Sequence, residues 1–319
     1  MKSLTLTGLS CLSALLAGCV VGPDYRQPEL PTPSAWQAPL PHGGDRARLT
    51  QWWQQFDDPT LAELIELAEK SNPSLTQALA RIEQSRANAS AARSRLFPAT
   101  SLHAGERRSG GSGATPSQTI ASASLDASWE IDLFGANRRG REAAQARLEG
   151  AEANWHEARV SLAAELAQEY LGLRTCEALL AEAERDLASR RNTAALTARK
   201  VAAGFAAQPD KALAEASTAE AETRVLGQRN DCDISVKSLV ALTDVAETDL
   251  RTRLATHTAR IPSPAALSID ELPAQVIRHR PDVMAAEREL AAANADIGGA
   301  EAARYPRLSL SGTIGPQFV

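Results

Sequence analysis

The chain has 319 residues, 44% of them hydrophobic but only 4% aromatic, with 34 Lys and Arg against 39 Asp and Glu. This length can bury a core of ordinary size, and 19 Gly and 17 Pro are too few for a collagen-like or low-complexity chain. A formal charge of −5 excludes a basic nucleic-acid binder, and the lack of any run near the roughly 18–20 apolar residues of a spanning helix excludes a helical membrane protein.

Residues 1–18 carry Lys2 and then a mostly apolar run from Leu4 to Gly18, the pattern of a secretory signal. The run ends Leu16-Ala17-Gly18-Cys19, which resembles a bacterial lipobox and implies acylation of Cys19. Val20 stands where Asp would mark inner-membrane retention, so the outer membrane is favoured. Residues 19–58 read as an extended tether, because Pro23, Pro28, Pro31 and Pro33 fix φ and remove amide donors. Order is expected from Trp52 onward, with Asp57 or Asp58 capping a helix whose first turn holds Pro59.

The chain repeats itself at an offset of 208: Pro73 matches Pro281, Pro98 matches Pro306, and Ser101-Leu102 matches Ser309-Leu310. A first repeat is assigned to 59–262 and the start of a second to 268–319. Each copy opens on an Ala-rich helical run (Pro73–Leu96, Pro281–Arg304) that a Pro then ends. From Ala121 to Leu133 apolar and polar residues alternate over thirteen positions, the period of a strand with one apolar and one wet face. Its hairpin partner is expected near Ala99–Glu106, the hairpin as a whole spanning about 99–134. The Gly/Ser-rich loop between them lacks the residues of a phosphate-binding loop.

No proline interrupts Ala136 to Ala202, which predicts a helix on the order of 100 Å long. Such a length points to a coiled coil or a helical barrel. Gly204 then suits a helix C-terminus, and Pro209-Asp210 suits the start of a helix running back to about Ala255.

This order of segments, with Val21–Tyr25, Trp52–Leu61 and Arg278–Gly312 as its most specific pieces, resembles the outer-membrane factors of tripartite efflux pumps, the TolC/OprM/NodT group, in its lipoprotein branch. The resemblance implies an α+β membrane protein of TolC-like fold: a homotrimer whose transmembrane β-hairpins build a twelve-stranded barrel above a periplasmic tunnel of long antiparallel helical hairpins. The implied function is a passive export duct for drugs or other small compounds, driven by an inner-membrane pump of the RND or a similar type through a periplasmic adaptor. Outer-membrane lipid is the further partner. The implied roles are lipidation at Cys19 and adaptor contact at the tip Gly204-Phe205-Ala206, although Ala203 stands where the family has Val. A full second repeat needs on the order of 150 further residues, so a C-terminally truncated record or a broken gene is expected. The alternatives are a periplasmic scaffolding lipoprotein and a non-functional fragment.

Asp126, Glu130 and Asp132 on the polar side of the alternation are pore-lining candidates that would bias a lumen toward cations. Cys176 and Cys232 lie equally far from residue 204, so they reach similar heights on antiparallel helices. A disulfide is expected there, with two separately buried thiols as the alternative. The five histidines have no metal-ligand spacing and no nucleophile elbow is present, so neither a metal, a cofactor nor enzymatic activity is expected. Arg138-Arg139-Gly140-Arg141 reads as a solvated helix start, with a headgroup-contacting collar as the second reading.

Overall fold

The computed structural model describes residues 20–28, 52–110, 118–263, 277 and 279–318. The signal sequence, Cys19, most of the Pro-rich stretch and the Gly-rich loop at 111–117 lie outside the described residues. The chain divides into two compact units. One takes the described residues of 1–31, 78–155 and 278–319, and the other those of 32–77 and 156–277.

The second unit starts with a 3-10 turn at 52–56 and helix α1 (Pro59–Ser71). Asp58, not Asp57, is the cap: its Oδ1 accepts the amides of Thr60 (2.9 Å) and Leu61 (3.3 Å), and Pro59 occupies the first position, where a missing N–H costs nothing. Leu61, Leu64, Ile65 and Ala68 fall on one helical face and are fully buried. Their cluster includes Leu166, Tyr170 and Leu173 of α3 (Ala136–Ala202), with Val236 and Leu239 of α4 (Gln208–Thr243). Each such side chain contributes about 2 kcal/mol on leaving water.

A polar chain runs through this core. Tyr170 donates its hydroxyl proton to Asp58 Oδ2 (2.7 Å) and accepts from Arg174 Nη2 (3.1 Å). The fully buried Arg174 also donates to Glu177 (2.9 Å), which accepts the amide of Ala259 (2.8 Å). Burial first, and the bond to Asp58 second, push the Tyr170 phenol up to about 12. The folded state therefore favours the protonated phenol. Its contribution is complete below the unfolded value near 10 and is lost as pH rises from about 10 to 12. Tyr170→Phe is expected to cost about 1–2 kcal/mol at neutral pH and to flatten the alkaline limb, as followed by helical circular dichroism. An unchanged alkaline slope would show that another group drives it.

The expectation that the returning helix continues to Ala255 is corrected. Helix α4 stops at Thr243, Asp244 takes a left-handed conformation (φ 54°), and a short α5 (Glu247–Leu254) follows. The end of α1 supplies the reason, because Ser71 Oγ donates to Thr243 O (2.7 Å) and Asn72 Nδ2 to Leu242 O (3.2 Å). The last carbonyls of α4 thus gain partners outside the helix.

In the first unit, α2 (Pro73–Ser94, counted here from residue 78) leads into strands β1 (Ala99–Ser109) and β2 (Gln118–Ile131). α6 (Pro281–Ala302) leads into β3 (Leu308–Ile314) and β4 (Gln317–Phe318). α2 and α6 each have 22 residues and begin on the matched prolines, so the offset of 208 is kept in three dimensions. Strand β2 is central, with β1 antiparallel on one edge and β3 and β4 antiparallel on the other. The first part of α3 packs on α6 through Ala143, Ala146, Ala291, Ala292 and Ala295, small residues that let helices approach closely. Arg147–Asp296 (2.5 Å) and Arg288–Glu149 (2.9 Å) pair at the margins of this contact.

Residues 20–28 depart from the reading as a free tether. The amide of Val21 donates to Phe134 O (3.2 Å), Asn294 to Pro23 O (2.9 Å), and Tyr25 to Glu287 (2.5 Å). Prolines in this segment remove donors, but its carbonyls remain free to accept from side chains.

Candidate functional site

The register of the sheet settles which residues share a face. Opposite Leu125 stand Leu102 of β1 and Ile314 of β3, and opposite Trp129 and Ile131 stand Leu310 and Leu308. This apolar face is open: Leu102 is 76% exposed, Ile314 74% and Leu310 54%. The other face carries Ser101, His103, Ser124, Asp126, Ser128, Ser309, Ser311 and Thr313. Asp126 ties its strands together, accepting from Thr313 Oγ1 (2.6 Å) and Ser124 Oγ (3.2 Å), with His103 Nε2 3.7 Å away.

Glu130 shares the polar face with Asp126 and stands opposite Ser309. Asp132 departs from its expected place. It lies past the end of β2, and its carboxylate accepts the amides of Asn137 (3.1 Å) and Arg138 (2.9 Å) and pairs with Arg138 Nε (3.4 Å). Those amides are first-turn donors of α3 with no partner in the helix, so this carboxylate is a cap, only 11% exposed, and not a lining group.

The other candidate site closes the α3–α4 hairpin. Gly204 has φ +79°, Phe205 N donates to Lys200 O (2.8 Å) and Gly204 N to Val201 O (3.0 Å). These two bonds form a Schellman motif, which needs a left-handed residue where Gly204 stands. Asp210 then accepts the amide of Ala207 (3.1 Å) and starts α4. The turn leaves Phe205 85% exposed, with Leu213 also open to solvent. Farther from the turn, Leu187, Ala221 and Val225 form a small buried cluster. Beyond that cluster Cys176 and Cys232 are joined as a disulfide with Cα atoms 5.6 Å apart.

One residue had no signal in the sequence. Arg139 is not at a solvated helix start but 4% exposed, donating to Val21 O (3.2 Å), Gly22 O (3.1 Å), Asp24 (2.8 Å) and Glu142 (2.8 Å). Gly22 (φ +88°) and Gly298 make room for it: a Cβ on Gly22 would lie 2.3 Å from Gly298 Cα, and one on Gly298 2.8 Å from Arg139 Nε.

A sheet with one open apolar and one polar face, in a chain that also carries a long helical hairpin with a tight exposed turn, is the architecture of TolC-like outer-membrane channels. Comparison with known proteins gives the family: the profile described as "Outer membrane efflux protein" matches residues 64–244. The chain belongs to the outer membrane efflux protein family. It is 33% identical over 309 residues to "Nodulation protein T" of Rhizobium leguminosarum bv. trifolii, covering 95% of this chain and 66% of that protein. It is 31% identical to "Outer membrane protein OprJ" of Pseudomonas aeruginosa, covering 97% of this chain and 66% of the relative. Among solved structures, the outer-membrane channel OprN superposes with a TM-score of 0.81 at 34% identity, over 93% of this chain and 68% of that one. The Campylobacter jejuni CmeC outer membrane channel superposes at 0.79 and 22% identity, over 94% and 66%, and shows the common fold. The chain thus spans slightly under two thirds of the length of its curated relatives.

Proposed function

We propose that the chain forms part of an outer-membrane channel subunit that lets small compounds leave the cell passively, with energy supplied by an inner-membrane pump. The observation that carries this reading is the two-faced sheet. Its apolar side suits lipid, and its polar side, with Asp126 and Glu130, suits a water-filled lumen of modest cation preference. A barrel in a membrane must close to satisfy its strand edges, so strands of other copies are needed, and the family resemblance makes the assembly a homotrimer. Acylation at Cys19 anchors the chain beside them. The tip Gly204-Phe205-Ala206 is the adaptor contact, with Phe205 as the exposed apolar group that a partner would cover. Relatives whose names refer to toluene and antibiotic efflux make small apolar or amphiphilic compounds the proposed cargo.

The faces of β2 provide the test. Leu125→Arg places a charge on the apolar face and is expected to cost about 2–4 kcal/mol in lipid, exposing the strands to protease while the Cys19 acyl anchor keeps the chain at the outer membrane, and restoring drug sensitivity. Ser124→Arg, one residue away on the polar face, is expected to keep membrane assembly. Equal tolerance of both substitutions would favour a periplasmic scaffold over a channel.

A further inference from the structure

The pairs Ala99 with Ser128 and Ile131 with Leu308 put the start of β1, the end of β2 and the start of β3 at one end of the sheet. Helices α2, α3 and α6 join the strands there, and no described helix is long and apolar enough to cross a membrane. The boundary between hydrocarbon and water therefore falls at this rim. Aromatic residues gather at it: Phe97 is exposed, Trp129 donates its indole N–H to Leu96 O (3.2 Å), and Phe134 stacks on Tyr305 with ring centres 4.4 Å apart. Rings of this kind favour the headgroup level of a bilayer.

Arg93 and Arg95 precede Phe97, while Arg304 and Arg307 flank Tyr305. All four are exposed, and their guanidinium groups have no partner among the described residues. Several other arginines of the same unit are paired, Arg138 with Asp132, Arg139 with Glu142, Arg147 with Asp296 and Arg288 with Glu149, whereas Arg81, Arg107 and Arg141 are scattered singly and likewise have no partner among the described residues. No acidic residue occurs in 93–98 or 302–308. A helix dipole accounts for a cation in the last turn, as at Arg93. It also favours Arg95 and Arg304, one and two residues past Ser94 and Ala302, but does not account for Arg307, five residues beyond the end of α6. Both groups occupy the same helix-to-strand junction, once in each repeat. A guanidinium on a long apolar stem can rest along the rim and grip a phosphate with two N–H groups.

We infer that Arg93, Arg95, Arg304 and Arg307 form a docking collar for the phosphate headgroups of anionic phospholipids at the helix-side membrane surface. The inference rests on the membrane-spanning reading of the strands. The test offers the full chain to vesicles of phosphatidylcholine alone and to vesicles in which about a third of the lipid is phosphatidylglycerol, with protease protection of the strands as the measure of insertion. The wild type is expected to insert into both and to prefer the anionic vesicles on the order of tenfold, a preference that high salt removes. With Arg93, Arg95, Arg304 and Arg307 all changed to Gln, insertion into neutral vesicles is expected to persist and the preference to vanish. Changing Arg199 and Lys200 to Gln, near the hairpin turn, is expected to leave the preference intact. An identical preference in wild type and collar variant overturns the collar and leaves the membrane reading standing. Failure of the wild type to insert into either vesicle overturns both.

Discussion

Arg139→Ala is expected to release residues 20–28 and to lower stability by about 3 kcal/mol. Two half-buried backbone carbonyls, of Val21 and Gly22, lose their charged donor at once, and each hydrogen bond to a charged group contributes about 1.5–3 kcal/mol. The paired carboxylates contribute less to the loss, since Asp24 is 88% exposed and Glu142 53%. Arg139→Lys keeps the charge but offers one point of donation in place of a fork, so an intermediate loss is expected. Hydrogen exchange at the Val21 amide, which is bonded to Phe134 O, beside a thermal melt, checks this. Unchanged protection in the alanine variant would show that Tyr25–Glu287 and Asn294–Pro23 hold the segment alone.

The second large effect is expected at the disulfide. Cys176 and Cys232 are 56 residues apart, and cross-linking a loop of that size removes unfolded-state entropy worth about 4 kcal/mol. Reduction, or Cys176→Ala with Cys232→Ala, is expected to lower the free energy of unfolding by about that amount and the denaturation midpoint with it. It should loosen the hairpin first on the turn side, where Leu187, Ala221 and Val225 are the buried apolar cluster that remains. Ion pairs across the two helices, such as Arg191–Glu222 and Arg229–Glu184, are exposed and offset little of the loss. Thiol labelling of the unreduced, unfolded protein should find neither cysteine free, and reactivity at both would sink this account.

Features controlled by local chemistry were readable from the residues alone. An unbroken stretch from 136 to 202 has nothing in it to stop a helix, and the alternation from Ala121 has one period and two chemically distinct sides. The cap at Asp58 was narrowed to two adjacent residues, and geometry then chose between them. What escaped depends on partners far away in sequence. The stop at Thr243 has neither Gly nor Pro, because it is imposed by Ser71 and Asn72. Arg139 gave no sign of burial, since its acceptors lie about 115 residues upstream. Asp132 continued the alternation on paper, but the strand had already ended at Ile131 and the carboxylate was taken by a helix start.

The placement of β2 between its neighbours has a kinetic consequence. Its pairing with β1 closes a short loop, whereas the bond from Thr313 to Asp126 joins residues 187 apart. Loop-closure entropy and chain synthesis both put the short closure first. One edge of β2 therefore stays open, with unpaired amides and carbonyls beside apolar side chains, until the whole helical hairpin has been made and folded back. An open edge of this kind is the usual template for pairing with the wrong chain. Aggregation during export should therefore depend on how fast residues 308–314 arrive, and less on how stable the finished sheet is.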